Sequence, residues 1–423
     1  MKFSVFTPSH SLKYIDRPIN SLLNQTFKDF EWVLLLNGDA LKEKDSLEEK
    51  LNSSGLNYKI IQDVSDNKNI GYLKKRSCEE SSGDFLVELD HDDALMSDCL
   101  EELSKAFDEG HDFCYSSDYA VRIVDGKETY ETSFSAEWGW KTEEDESGLP
   151  YHPSFAPSAL SFSYIWYAPD HVRSWNRKFY NQIGGHNAEL EVCDDYDLLC
   201  RTYINGRCHL ISKPLYKYYF HEDNTAYGEK NKDIQELTHK IHDQYALEIA
   251  SKWSDENGLK KVDLCSCNNK PKGFVGVDAR KLNEDDIVFD LNKTDWPFED
   301  GSVGVFRAQD AVEHMKDPLN TMKEIYRCLA DYGWAVIDVP STDGRGAFQD
   351  PTHVSYWNSN SFWYYTKSEQ AHFIGTPVKF QLNRINNYYP SDFHEFHRIL
   401  YTKAHLVKLP EKGFEVPVHG RQI

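Results

Sequence analysis

Phe85-Leu86-Val87-Glu88-Leu89-Asp90-His91-Asp92-Asp93 is the stretch on which the fold turns. Residues 85–89 form an apolar run, bounded before by Ser81-Ser82-Gly83-Asp84 and after by carboxylates. That pattern predicts a buried strand. A strand ending in Asp-His-Asp-Asp sends several anionic oxygens out of the carboxyl edge of a sheet, the edge at which open α/β sheets bind ligands. Carboxylates so close repel one another, and a hard divalent cation relieves the repulsion. Two readings stand open on spacing alone: a metal site, or a solvated acidic turn that caps the next helix.

The surrounding sequence supplies a frame. Lys2–Thr7, Glu31–Leu36 and Tyr58–Gln62 read as strands, and Ile15–Gln25 and the segment opening at Asn69-Ile70-Gly71 read as helices. Strand and helix alternate through the first hundred residues, which predicts a parallel sheet with crossover helices. Residues 98–110 read as helix and 111–124 as further strand. A polar, Gly- and Pro-punctuated excursion from 125 to about 165 has the character of a recognition loop, and Tyr164–Tyr167 within its end is strand-like.

The chain has 423 residues, long enough for two domains. Its 69 acidic against 47 basic residues give a net charge of −22, which argues against broad nucleic-acid or anionic-membrane binding. No apolar run approaches the ~20 residues of a membrane span, and the amino terminus has no signal-like region. Nine scattered cysteines lack structural-zinc spacing, and the reducing cytoplasm is the expected compartment.

Further on, Glu191–Arg201 places Asp194, Asp197 and Arg201 on one helical face. Acidic residues at a helix start also cap it and complement its dipole, so capping plus a surface ion pair is the competing reading. Lys213–Phe220 reads as a strand ending at His221, and Asp233–Lys252 as a helix. Ser254–Gly258 is the best linker, dividing 1–253 from 259–423. A second strand–helix cycle follows it, with Asp278 and Asp290 each closing a short strand. The whole is expected to be α/β, two Rossmann-like domains in series.

The first ~250 residues resemble family 2 glycosyltransferases. The resemblance rests on Ser4-Val5-Phe6-Thr7-Pro8-Ser9, Ser21–Thr26, Asn69-Ile70-Gly71 with Arg76, Asp90-His91-Asp92, Asp194-Asp195 with Arg201, and His221, in that order. It implies an A-type nucleotide-sugar-binding fold and an inverting, metal-dependent transfer of sugar to a hydroxyl acceptor. On this resemblance Asp92, Asp90 and His221 hold Mn2+ or Mg2+. Thr7, Pro8, Asn37, Asp39, Arg76 and Asp90 contact the nucleotide sugar, a UDP-sugar. Asp195 is the general base, with Asp194 and Arg201 beside it, and Asp93 caps the next helix. Where the family carries Asp-Asp-Gly-Ser, this chain has Leu36-Asn37-Gly38-Asp39. The acceptor is expected to be a glycan or a lipid- or protein-linked hydroxyl.

Residues from about 259 to 405 resemble class I S-adenosylmethionine-dependent methyltransferases, through Trp296–Ser302, Glu313-His314, Glu324–Leu329 and Asp350-Pro351-Thr352-His353-Val354. The resemblance implies S-adenosylmethionine contacts at Asp263, Cys265, Cys267, Asp278, Asp290 and Gln309. Asp263-Leu264-Cys265-Ser266-Cys267 stands where the family has Asp-Leu-Gly-Cys-Gly, so both glycines that let the backbone approach the cofactor are replaced. The second domain is therefore expected either to methylate a glycan or to persist as a degenerate, glycan-binding or scaffold module.

Overall fold

Strand and helix do alternate in two separate units, Met1–Tyr245 and Ala246–Ile423. The computed structural model describes residues 2–132, 142–163, 169–222, 231–281, 283–284 and 286–410. The expected strand at Tyr164–Tyr167 lies outside the described residues, as does part of the 125–165 excursion.

The first unit contains strands β1 (Phe3–Ser9), β2 (Phe30–Leu36), β3 (Tyr58–Gln62), β4 (Phe85–Glu88), β5 (Ala94–Leu95), β6 (Phe113–Val124), β7 (Lys127–Tyr130), β8 (Glu143–Glu144), β9 (Pro150–Tyr151), β10 (Arg173–Asn176) and β11 (Cys208–Tyr219). Its helices are α1 (Asp16–Leu23), α2 (Lys44–Asn52), α3 (Ile70–Glu79), α4 (Cys99–Asp108), α5 (Ala159–Ser163), α6 (Arg177–Gln182) and α7 (Asp194–Asn205). The main sheet runs β3-β2-β1-β4-β10-β6-β11-β5, with β7 on β6. β3, β2, β1 and β4 are mutually parallel. Every residue of β2 is buried, as a parallel strand covered on both faces requires. Phe3, Val5, Trp32, Leu34, Val87 and Leu103 centre the core.

Parallel pairing has a direct consequence for the site. The carboxyl ends of β1, β2, β3 and β4 open on one edge, so Pro8, Asn37, Asp63 and the Asp90–Asp92 turn lie along it. β10, which the sequence patterning did not reveal, runs antiparallel between β4 and β6. Its first residue, Arg173, therefore reaches the same edge. Part of the 125–165 excursion folds back as β7 on β6, and β8 and β9 form a small hairpin.

Helix α8 (Asn231–Glu256) runs through the division between the units. Residues 254–256 continue this helix, and Ser254 is wholly buried, donating to the Ala250 carbonyl. Gly304 comes so close that a Cβ there would lie 2.3 Å from the Ser254 Oγ. The expected open linker at 254–258 is thus, for its first three residues, packed helix.

The second unit has β12 (Lys260–Leu264), β13 (Val275–Asp278), β14 (Ile287–Val288), β15 (Val303–Gln309), β16 (Leu329–Pro340), β17 (Phe380–Tyr388) and β18 (Tyr401–Lys408), with α9 (Pro318–Cys328) its longest helix after α8. The order is β14-β13-β12-β15-β16-β18-β17. All pairs from β14 to β16 are parallel, and β18 and β17 close the sheet antiparallel. Asp317 caps α9 by accepting from the Leu319 and Asn320 amides, with Pro318 at its first position. Val262, Phe306, Met322, Ile325, Ile337 and Leu406 fill the core.

Candidate active site

The groups at the first edge form a buried charge network. Gly71 shows how it is assembled. A Cβ on Gly71 would lie 2.0 Å from the Asn187 carbonyl oxygen and 3.1 Å from the Asp194 Cβ. Only glycine lets the start of α3 rest on the segment before α7, where the Gly71 amide donates to the Leu190 carbonyl at 3.2 Å. One turn later Lys74 is delivered into the sheet edge, with its Nζ 2.7 Å from the Glu88 Oε1 and 3.6 Å from the Asp194 Oδ2.

Arg173 enters from the other side. It donates to the Asp195 Oδ2 at 3.0 Å and lies 3.7 Å from both Glu88 and Asp170. Lys74 and Arg173 are thus shared among Glu88, Asp170, Asp194 and Asp195. Burial alone would lower both cations' values, but the surrounding carboxylates hold Lys74 and Arg173 above their ordinary ones. Burial opposes ionisation of Glu88, yet Lys74 and Arg173 overcome it and hold that carboxyl below its usual range. Burial pushes Asp194 up to about 6, against the pull of Lys74.

Asp90 and Asp92 sit in different surroundings. Burial, reinforced by Glu88 and Asp92, pushes Asp90 up to about 7 although Lys74 draws it down. Its Oδ2 lies 3.4 Å from the His171 Nε2. The Asp92 Oδ2 is 2.8 Å from the His221 Nε2, and the His221 ring packs on Tyr14 at 4.5 Å. Arg17 donates to the Asp92 carbonyl at 2.7 Å and covers the Tyr219 ring. A carboxylate and an imidazole side by side are donor types that divalent cations accept. Asp92 and His221 are the close pair; Asp90 does not join them as a trio with ligand atoms all within 4.8 Å.

Several expected roles change. Asp93 is no helix cap: it is buried, accepts from the Tyr216 hydroxyl at 2.9 Å and the Tyr219 amide at 2.8 Å, and ties the acidic turn to β11. Arg201 does not orient Asp195. It donates through Nε to Asp197 at 3.1 Å and through Nη1 to the Ile183 carbonyl at 2.6 Å, because residues four apart on a helix meet. Arg173 makes the Asp195 contact instead. Asp39 pairs with Lys42 in solvent. The Thr7 side chain is fully buried, and its hydroxyl accepts from the Trp32 indole at 2.9 Å. Arg76 pairs with buried Asp63. Pro8 lies half-buried at the edge, and the Asn37 Oδ1 is buried there without a partner.

Lys74, Glu88, Arg173, His171 and Asp170 were not singled out from sequence as site residues. Only Glu88 left a signal, a charge inside an apolar strand, which requires a buried partner.

At the carboxyl edge of the second sheet, Cys265 and Cys267 hold φ of +51° and +42°. The backbone keeps a glycine-type bend with side chains in place of glycine's hydrogens. Asp263 is buried, and both its oxygens accept from Arg307, at 2.9 and 3.0 Å. Arg307 also donates to Gln309. Asp278 accepts from the Arg280 amide and Asp290 from Asn292. Asp263 and Gln309 both pair with Arg307, and side chains stand at the two positions where the resembled family has glycine.

Comparison with known proteins follows the same division. The family model "Glycosyl transferase family 2" matches residues 4–163 and the model "Methyltransferase domain" matches 262–337. Chondroitin synthase of Escherichia coli is 25% identical over 272 residues, 63% of this chain and 34% of that protein. Poly(ribitol-phosphate) beta-N-acetylglucosaminyltransferase TarS of Staphylococcus aureus is 29% identical over 113 residues, 26% of this chain and 20% of that protein. The chain thus spans about a third or less of the length of these relatives. A crystal structure of S. aureus TarS 1–349 in complex with UDP-GlcNAc superposes with a TM-score of 0.44 at 21% identity, covering 60% of this chain and 73% of that one.

Proposed function

We infer that the chain joins a family 2 glycosyltransferase domain, of A-type fold, to a methyltransferase-like domain, and that the first unit transfers a sugar, with inversion, from a nucleotide diphosphate donor to a hydroxyl of a glycan or of a lipid- or protein-linked acceptor. The observation that carries the reading is the Asp195 carboxylate, a quarter exposed and held by Arg173 at 3.0 Å, at the same sheet edge as the Asp90–Asp92 turn. Asp195 accepts the acceptor's proton as the hydroxyl attacks. Arg173, anchored also against Glu88 and Asp170, fixes where that carboxylate points. Lys74 keeps Asp194 and Glu88 compensated beneath it.

Asp92 and His221, with Asp90 nearby, would hold Mn2+ or Mg2+, which when bound neutralises charge on the departing diphosphate. Names such as chondroitin synthase and beta-N-acetylglucosaminyltransferase among the relatives support a UDP-sugar donor. None of the nine cysteines is paired in a disulfide, which suits a reducing, cytoplasmic setting; among the described residues no helix is long and apolar enough to cross a membrane. For the second unit, the pairing of Asp263 with Arg307 favours a module that has kept its fold without the cofactor loop.

A panel of UDP-sugars with Mn2+ tests the reading through donor hydrolysis and transfer. Asp195→Asn is expected to lower kcat at least about 100-fold while leaving donor affinity nearly unchanged. Asp92→Asn is expected to weaken Mn2+-dependent donor binding. A wild-type chain that binds no nucleotide sugar by calorimetry refutes the reading.

A further inference from the structure

A second group of ligating side chains stands in the second unit, on residues given no ligand role above. Beyond the carboxyl end of β15 the chain turns through Val312-Glu313-His314, and the 350–355 loop is fastened onto this turn. The Val354 and Ser355 amides donate to the Glu313 carbonyl at 2.8 and 3.0 Å, and the Ser355 hydroxyl to the Val312 carbonyl at 2.9 Å. This fastening brings Glu313, His314 and His353 together, with one ligand atom from each within 4.8 Å of the others.

Glu313 is the anomaly. It is 1% exposed, and neither carboxylate oxygen has a hydrogen-bond partner. The His353 Nε2 is 3.9 Å from its Oε1, beyond hydrogen-bond reach. An unpaired buried carboxylate is costly to keep. Of the carboxylates nearby, Asp310 accepts from the Tyr401 hydroxyl at 2.7 Å, and the Asp350 Oδ1 accepts from the Thr352 amide and hydroxyl while its Oδ2 lies 3.9 Å from the His353 Nε2.

The two imidazoles are oriented from behind. The His353 Nδ1 lies 3.0 Å from the Ala347 carbonyl, and the His314 Nδ1 3.2 Å from the Thr352 carbonyl. A ring that donates Nδ1–H to a carbonyl carries its lone pair on Nε2, the arrangement by which proteins fix a metal-binding histidine.

We propose that Glu313, His314 and His353 bind a divalent first-row transition-metal ion. Two imidazoles and one carboxylate match Zn2+ and its neighbours rather than Mg2+ or Ca2+. A contraction of at most about 1.4 Å brings the ligand atoms to the roughly 3.4 Å separation of a tetrahedral site with ligands near 2.1 Å. Three protein ligands leave a fourth position open, the pattern of sites that take water or a substrate oxygen.

The test uses the full chain, stripped by chelation, in an Asp92→Asn background that weakens ion uptake at the first unit. Titration with Zn2+ by calorimetry, and with Co2+ by visible absorption, is expected to show one ion per chain and a ligand-field spectrum of low coordination number. Adding Glu313→Gln, and separately His353→Ala, is expected to weaken binding at least about 100-fold, exceeding the loss typical of removing only an outer partner; circular dichroism verifies that each variant folds. Unchanged Co2+ affinity in both variants, or no ion bound below millimolar concentration in the Asp92→Asn chain, overturns the proposal. The readout is metal binding, so it stands or falls apart from glycosyl transfer.

Discussion

Lys74 illustrates how much of this protein rests on single buried charges. The structure buries it against two carboxylates, with Glu88 at 2.7 Å and Asp194 at 3.6 Å. Lys74→Met keeps the volume and removes the cation, leaving those carboxylates uncompensated. The expected cost is about 3–5 kcal/mol, measurable by urea denaturation of the full chain, and a near-neutral result would show that Arg173 alone satisfies the network. Residue-scale reading of the sequence recognised Asp194 and Asp195 as a pair but not their partners. Arg173 and Lys74 lie 21 and 120 residues away in the chain from Asp194, and no local period connects them. The helical period did connect Arg201 to Asp197, and there the local contact is what the structure keeps; the resemblance, not the period, had set Arg201 beside Asp195.

Among the elements, α3 and β10 decide whether the site exists. α3 must start hard against the 187–190 segment, and Gly71 alone permits it. Gly71→Ala forces a backbone separation at a 2.0 Å contact. We expect it to destabilise the unit by about 1–3 kcal/mol and to lower transfer activity further than its loss of folded protein explains, because Lys74 is displaced with the helix. Thermal unfolding and kcat measured on the same preparation check this; activity that follows folded fraction alone would refute the link. β10 escaped sequence reading because its four residues, Arg173-Ser174-Trp175-Asn176, are too short and too polar to show a period. Long-range pairing with β4 and β6, not local propensity, makes it a strand.

For the whole molecule, the parallel strands β1 to β4 and β12 to β16 give each unit an edge where chemistry can collect, and the two edges have diverged. The first gathers carboxylates with cations beneath them. The second retains its bend at Cys265 and Cys267 but commits Asp263 to Arg307. S-adenosylmethionine is accordingly expected to give no saturable heat by calorimetry at concentrations where a nucleotide sugar with Mn2+ does, and micromolar binding would restore the methyl-transfer reading. The sequence by itself determined the two-unit α/β architecture and the acidic turn at the end of β4, because hydrophobic period and turn chemistry are local and survive in a single chain. It also placed Asp92 and His221 in one site by resemblance, 129 positions apart. Only the tertiary structure decided which charges meet: that Arg173 rather than Arg201 holds Asp195, that Asp93 braces β11, and that Glu313 faces two histidines with no hydrogen-bond partner of its own. Those outcomes depend on sheet register and on close backbone approach, which bring together residues whose separation along the chain carries no trace of the contact.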